Sequence, residues 1–190
     1  MARGFNSTKN QKAYFREWVK NSETVHQNKW FKLVQNNNFY SIDYHAVQVV
    51  VLPVIEKEYI LLSKVKRPIV GCSLWECPAG GVEESETNEI AALRELKEET
   101  GVEINDQSRL NPLQSLIVSQ NRLPMFPAIF SIQLSEEEYQ LRKSHDKEVG
   151  ESKRFSFAEI IEMMKSGDIS TAITLSILGR FFLEQGKIIL

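Results

Sequence analysis

The sequence predicts an α+β (mixed α/β) domain with sheet and helices layered as a sandwich. Strand-like apolar runs come first, then one helical segment, then further strands, then helices. That order departs from the strict alternation of a doubly wound parallel sheet. The later helices also carry their own start signals. Ser135-Glu-Glu-Glu138 and Ser156-Phe-Ala-Glu159 each set a glutamate three residues after a serine, the reciprocal pairing of a capping box.

Taken in chain order, residues 1–10 are expected to be frayed. A short helix follows, with Ser7 as candidate N-cap and Tyr14, Phe15, Trp18 and Val19 on one side. Residues 24–35 read as one strand, Asn36-Asn37-Asn38 as a turn, and 39–44 as the returning strand. The run 45–55 has the continuous apolar character of a buried strand, and Glu56-Lys57-Glu58 turns it into a partner over 59–65. Pro68 and Gly71 mark a loop, and 74–77 is a short strand stopped by Pro78. Ile90, Leu93 and Leu96 give 86–100 a helical spacing, and Gly101 stands where a left-handed residue ends such a helix. Strands are expected near 113–118 and 126–134, and a short helix over 136–142. The second capping box opens a helix that ends at Gly167. A last helix near 170–185 carries Ile173, Leu175, Ile177, Leu178, Phe181 and Phe182.

At 190 residues, with 42% hydrophobic and 25% charged side chains, the chain can bury a sizeable core. A net charge of −2 offers no general attraction to nucleic acid or to an anionic membrane. No apolar run has the length of a membrane span, and the first residues lack an apolar signal core, so a cytoplasmic location is expected. Cys72 and Cys77 are the only cysteines and read as reduced thiols. The expected division is residues 1–44, a helix and β-hairpin suited to dimerisation, and residues 45–190, the main domain.

One segment conflicts with ordinary helix design. Glu95, Glu98 and Glu99 lie within about one turn. Glu95 and Glu99 are i,i+4 neighbours and repel by roughly 0.2–0.5 kcal/mol. Glu98 and Glu99 also sit near the C-terminus, where the helix dipole disfavours anions by about 0.3–1 kcal/mol each. Arg94 answers only part of this, by pairing with Glu98 at i+4. A solvated acidic face is the bland explanation. A hard divalent cation is the sharp one, since it would reverse the sign of the energetics and bridge carboxylates to phosphates. The preceding Trp75-Glu-Cys-Pro-Ala-Gly-Gly81 is a strand running into a Pro/Gly loop, whose carbonyls are further hard ligands.

Residues 80–102 resemble the Nudix box: Gly80, five residues, Glu86, seven residues, then Arg94-Glu95-Leu96-Lys97-Glu98-Glu99-Thr100-Gly101-Val102. The flanking segments, Leu61 to Pro68, Trp75 to Gly80 and Gly167 to Ala172, are similar to the ADP-ribose pyrophosphatase-like branch, and together they cover about residues 25–185. The resemblance implies the Nudix fold, a mixed sheet between helices with N-terminal antiparallel strands, and often a homodimer. It implies hydrolysis of ADP-ribose or a related nucleoside diphosphate sugar with Mg2+, for which Mn2+ can substitute. By the same resemblance, Glu95 and Glu99 are principal metal ligands, Glu98 a third or water-mediated one, and the Ala79 carbonyl a backbone ligand. Gly80, Arg67 and Glu76 lie at the substrate, while Glu86 and Arg94 orient the box. The competing role for Arg67 is a surface ion pair.

Pyrophosphate hydrolysis also needs a general base. In the branch this chain resembles, a glutamate on a late loop before the last strand takes that role or binds a further metal, and here Glu148 and Glu151 both qualify. Ser119-Gln-Asn-Arg-Leu-Pro124-Met replaces the Pro-Gly loop of many ADP-ribose enzymes, which keeps GDP-mannose, dinucleotides and other nucleoside diphosphate derivatives open as substrates. Trp30, Phe31, Phe39 and Tyr40 are candidates for stacking on a base, with hairpin packing as the alternative. A Nudix domain that senses a nucleotide without cutting it is the reading from another class, and the intact glutamates weigh against it.

Overall fold

A computed structural model describes residues 8–144 and 149–186. The N-terminal helix α1 (Thr8–Lys20) precedes a three-stranded antiparallel sheet, β1 (Glu23–Gln27), β2 (Phe31–Asn36) and β3 (Phe39–Tyr44). The single strand expected over 24–35 is therefore two. Asn28 breaks it by taking the backbone N–H groups of Trp30 and Phe31 on its Oδ1, at 2.9 and 3.0 Å, so the chain turns locally instead of continuing the ladder. The Asn turn joins β2 to β3 as expected, with Asn37 at φ 52. Ser7 lies outside the described residues.

The main sheet has seven strands. Its path runs through β10 (Val149–Ser156), β5 (Tyr59–Arg67), β4 (Gln48–Ile55), β9 (Ala128–Leu134) and β8 (Asn111–Leu113). β6 (Cys72–Glu76) pairs with β5, and β7 (Ala79–Gly81) pairs with β4. Only β4 and β9 run parallel among these pairs. β4 explains the layering, because strand side chains alternate between faces. Val49, Val51 and Ile55 pack with Ala91, Ala92 and Leu96 of the helix α2 (Asn88–Thr100). Val50, Leu52 and Val54 pack on the other face with Ile160 of α4 (Phe157–Ser166) and with Ile177, Leu178 and Phe182 of α5 (Ala172–Glu184). A mixed sheet between helices is the result.

Three further elements differ from the sequence expectation. The strand near 113–118 ends at Leu113. Beyond it the Ser115 hydroxyl turns back onto the Pro127 carbonyl at 2.6 Å, and Arg180 of α5 takes the Gln114 and Ser115 carbonyls, so this backbone is held from outside a ladder. β7 was legible only as a Pro/Gly loop, yet it pairs Ala79, Gly80 and Gly81 with β4. β10 begins at Val149 and so takes in Glu151, which is expected on a late loop. Its Glu, Lys and Arg suit the edge position it holds, where charge blunts further pairing.

Both capping boxes form, at the start of α3 (Glu136–Gln140) and of α4. Arg109 also grips Glu138, and this hydrogen-bonded partner holds the Glu138 carboxyl down at about 2. A depressed carboxyl stabilises the fold above its unfolded value near 4.5 and loses that contribution as pH falls toward 2. Glu138→Gln is accordingly expected to lower Tm at neutral pH and to converge on the wild type near the acid limit. A scan of Tm against pH in which the two proteins differ equally throughout would contradict this.

Candidate active site

The site begins where β7 lies against α2. An added Cβ on Gly80 would stand 1.9 Å from Glu95 Oε1, so any side chain there would displace the carboxylate. Thr87 caps the helix start by accepting from the Ile90 N–H at 3.3 Å. Gly101 ends the helix at φ 77, with its N–H on the Lys97 carbonyl. Ala91, Ala92, Leu93 and Leu96 anchor the buried face, whereas Ile90 is exposed. Glu95 and Glu99 are thereby held against β7.

Arg94 is the hub of the acidic group. Its Nε and one terminal nitrogen hold Glu86 at 2.8 and 3.0 Å, and that second nitrogen also reaches the Gly81 carbonyl at 2.7 Å. The other terminal nitrogen bridges Glu95 at 2.7 Å and Glu98 at 2.9 Å. The fork geometry of a guanidinium permits this division. It holds the Glu86 carboxyl below the usual carboxylate range. Glu95 is 8% exposed, and its burial pushes its carboxyl upward despite Arg94.

Glu99 has no such partner. Its Oε1 accepts a long 3.4 Å hydrogen bond from the Ala79 N–H, while Oε2 is cut off from solvent without any hydrogen-bond partner. Burial raises the carboxyl to about 8, and nearby Glu95 pushes in the same direction. Ser63, fully buried in β5, donates to the Glu99 main-chain carbonyl at 3.3 Å and ties the last helical turn to the sheet. Arg67 and Glu76, on neighbouring β5 and β6, close on each other in a two-pronged ion pair of 2.9 and 2.8 Å. Glu99 is near enough to favour the charged Arg67 as well.

The structure thus brings Ala79, Gly80, Glu86, Arg94, Glu95, Glu98 and Glu99 together, with the Arg67–Glu76 pair beside them. Among the described residues no three His, Cys, Asp or Glu side chains converge as a metal-holding group, and Arg94 pairs instead with each of Glu86, Glu95 and Glu98. Glu151 is exposed on β10 opposite Lys64, beside an irregularity in the strand register. It is therefore a strand residue, where a loop residue was expected. Glu148 lies outside the described residues. Cys77 is buried, with its thiol pushed up to about 12, and Cys72 is free and exposed.

A cleft of about 410 Å³ opens beside β7, lined by Trp30, Phe31, Tyr44, His45, Gln48 and Gly81. Phe31 faces Tyr44, and Lys29 lies over the Trp30 ring at 4.3 Å. Sequence reasoning passed over Ser63. A lone hydroxyl inside Ile60-Leu-Leu-Ser63 was the available signal, since buried polar groups are nearly always there for a bond. No helix among the described residues is long and apolar enough to cross a membrane.

A family model for the Nudix domain matches residues 44–173. The chain belongs to the Nudix family. An ADP-sugar pyrophosphatase of Mus musculus is 47% identical over 60 residues, which are 30% of this chain and 28% of that protein. An RNA pyrophosphohydrolase of Gluconobacter oxydans (strain 621H) is 53% identical over 30 residues, 16% of this chain and 18% of that one. The chain thus spans less than a third of either relative's length. A crystal structure of an ADP compounds hydrolase superposes on this Nudix chain with a TM-score of 0.65. The match covers 88% of this chain and 95% of that one at 20% identity, which establishes the shared fold. The Nudix box thereby occupies β7, the turn after it and α2.

Proposed function

We propose that this Nudix chain is a Mg2+-dependent pyrophosphohydrolase. It cleaves the diphosphate of ADP-ribose or a related nucleoside diphosphate sugar, giving a nucleoside monophosphate and a sugar phosphate. The observation that carries this is the buried, unpartnered Oε2 of Glu99 in an acidic group that one arginine cannot neutralise. Buried charge is stable only when paired or coordinated. Glu95, Glu98, Glu99 and the Ala79 carbonyl fit a hard cation in donor type, all being oxygens. Mn2+ would suit the same donors. A bound ion there supplies charge neutralisation on phosphate oxygens and a more acidic water.

The chain's own residues do the positioning. Arg94 holds the glutamates in place by its fork and, with Glu86, fixes the box against Gly81. Arg67, oriented by Glu76, offers a planar donor set to a phosphate or ribose oxygen, and Gly80 keeps the backbone clear. The base comes from Glu151 or Glu148. Glu148→Gln and Glu151→Gln are to be compared by turnover, with one expected to fall by about 10²–10⁴-fold. Undiminished rates in both would remove this assignment. The aromatic cleft supports a nucleoside group, and exposed Val25, Phe39 and Tyr40 support a homodimer through the N-terminal strands.

The loop over 119–125 favours a second reading, with GDP-mannose, a dinucleotide or another nucleoside diphosphate derivative as substrate. It is stapled to the rest of the chain by the Ile42 N–H on the Arg122 carbonyl at 2.9 Å, and Phe126, just after it, lies against Phe15. A panel of nucleoside diphosphate derivatives with Mg2+ separates the readings. AMP and ribose 5-phosphate from ADP-ribose support the first. Cleavage of other members alone supports the second. Tight binding of one compound without cleavage makes the domain a sensor.

A further inference from the structure

We propose that Thr174, on the C-terminal helix α5, is a positioning residue that holds the 77–80 backbone against the Glu99 carboxylate. This role rests on the metal-dependent hydrolase reading above. Thr174 is 2% exposed in an otherwise largely apolar helix. Thr174 stands in the first turn of α5, three residues after the N-cap Thr171, where no helical carbonyl lies one turn back for its hydroxyl. Its hydroxyl oxygen accepts from the Cys77 N–H at 3.2 Å, across 97 residues of chain.

The stretch it grips needs such a bond. Cys77 and Pro78 fall between β6 and β7, outside either ladder. Pro78 has no N–H to give, and its carbonyl is taken by the Val51 N–H at 2.9 Å. Thr174 holds the segment from the opposite side. Two residues on, the Ala79 N–H meets Glu99 Oε1, and the next residue, Gly80, abuts Glu95. Two peptide units are a short, stiff lever, so a shift at Cys77 reaches both carboxylates. α5 therefore does more than cover the sheet: one hydroxyl links it to the acid group.

Thr174→Val keeps the shape and removes the acceptor, whereas Thr174→Ser keeps the hydroxyl. Mn2+ binding to the metal-free proteins, read by the paramagnetic resonance of free Mn2+, should weaken by about 10–100-fold in Thr174→Val, the scale for losing an outer-shell partner of a metal site. Thr174→Ser should restore it, and kcat should fall with Mn2+ affinity. Wild-type Mn2+ affinity in a folded Thr174→Val of lowered Tm overturns the positioning role alone. Absence of Mn2+ binding by the wild type overturns the metal site and this role together. If Thr174→Val does not fold, hydrogen exchange of the wild type decides. A Cys77 amide as protected as the β4 core supports the bond, and one exchanging like a loop amide removes it.

Discussion

Glu99→Gln is expected to lower turnover by at least about 10²–10³-fold, the scale of losing one preorganised electrostatic group, while the chain stays folded. Two features of Glu99 separate its chemistry from its structural role. Its carboxyl is already pushed up to about 8 by burial, so the pocket accepts a neutral group. Its Oε2 has no protein partner to lose. Glutamine preserves the shape and the acceptor for the Ala79 N–H, and it removes only the ability to ionise toward a cation. Glu98→Gln should likewise cripple turnover, although Glu98 is more exposed and Arg94 already satisfies one of its oxygens. Tm with added Mg2+ gives an independent reading. A ligand that binds only the folded state stabilises it by mass action, so the wild type should gain more than Glu99→Gln. Wild-type turnover in both variants would remove the glutamate helix from the chemistry.

Gly101→Ala is the second large effect, and it acts on stability. Gly101 sits at φ 77, where an L side chain costs about 1–2 kcal/mol. Space is the greater obstacle. A Cβ there would stand 1.9 Å from the main-chain carbonyl oxygen of Lys143, which has no rotamer by which to escape. The 142–144 segment would have to move away, losing the Lys143 N–H bond to the Gly101 carbonyl and loosening Lys143 Nζ from Glu103. The backbone conformation alone implies a fall in Tm of several degrees, at roughly 2–4 °C per kcal/mol for a chain of this size, and the clash adds to it. Because 142–144 leads into the stretch that contains Glu148, turnover should fall beyond what the loss of folded protein explains. Unchanged Tm would mean that the close approach does not exist.

Much of this was legible in the sequence because local rules and tertiary need agree there. Gly101 is required by both the helix end and the neighbouring carbonyl, and the two serine boxes satisfy helix starts by themselves. The burial of β4 on both faces follows from a run that is apolar at nearly every position. The rest depends on contacts distant in sequence. β10 has too many charges to read as a strand, and only its edge position makes them acceptable. β7 is two-thirds glycine and owes its strand character to pairing with β4. The Arg94–Glu98 bridge was legible as an i,i+4 pair, whereas the Arg94–Glu95 contact was not, because adjacent helix residues do not ordinarily face each other. Ser63 and Thr174 look like polar interruptions in apolar segments until the backbone groups they hold are seen.

The most direct test of a glutamate helix built for a cation is phosphorus NMR of a nucleoside diphosphate panel, ADP-ribose included, incubated with the protein in Mg2+ and again in excess chelator. The expected result is conversion of at least one diphosphate signal into two monophosphate signals, present with Mg2+ and abolished by the chelator. Conversion at the same rate in chelator, or no conversion of any compound with Mg2+, would contradict it.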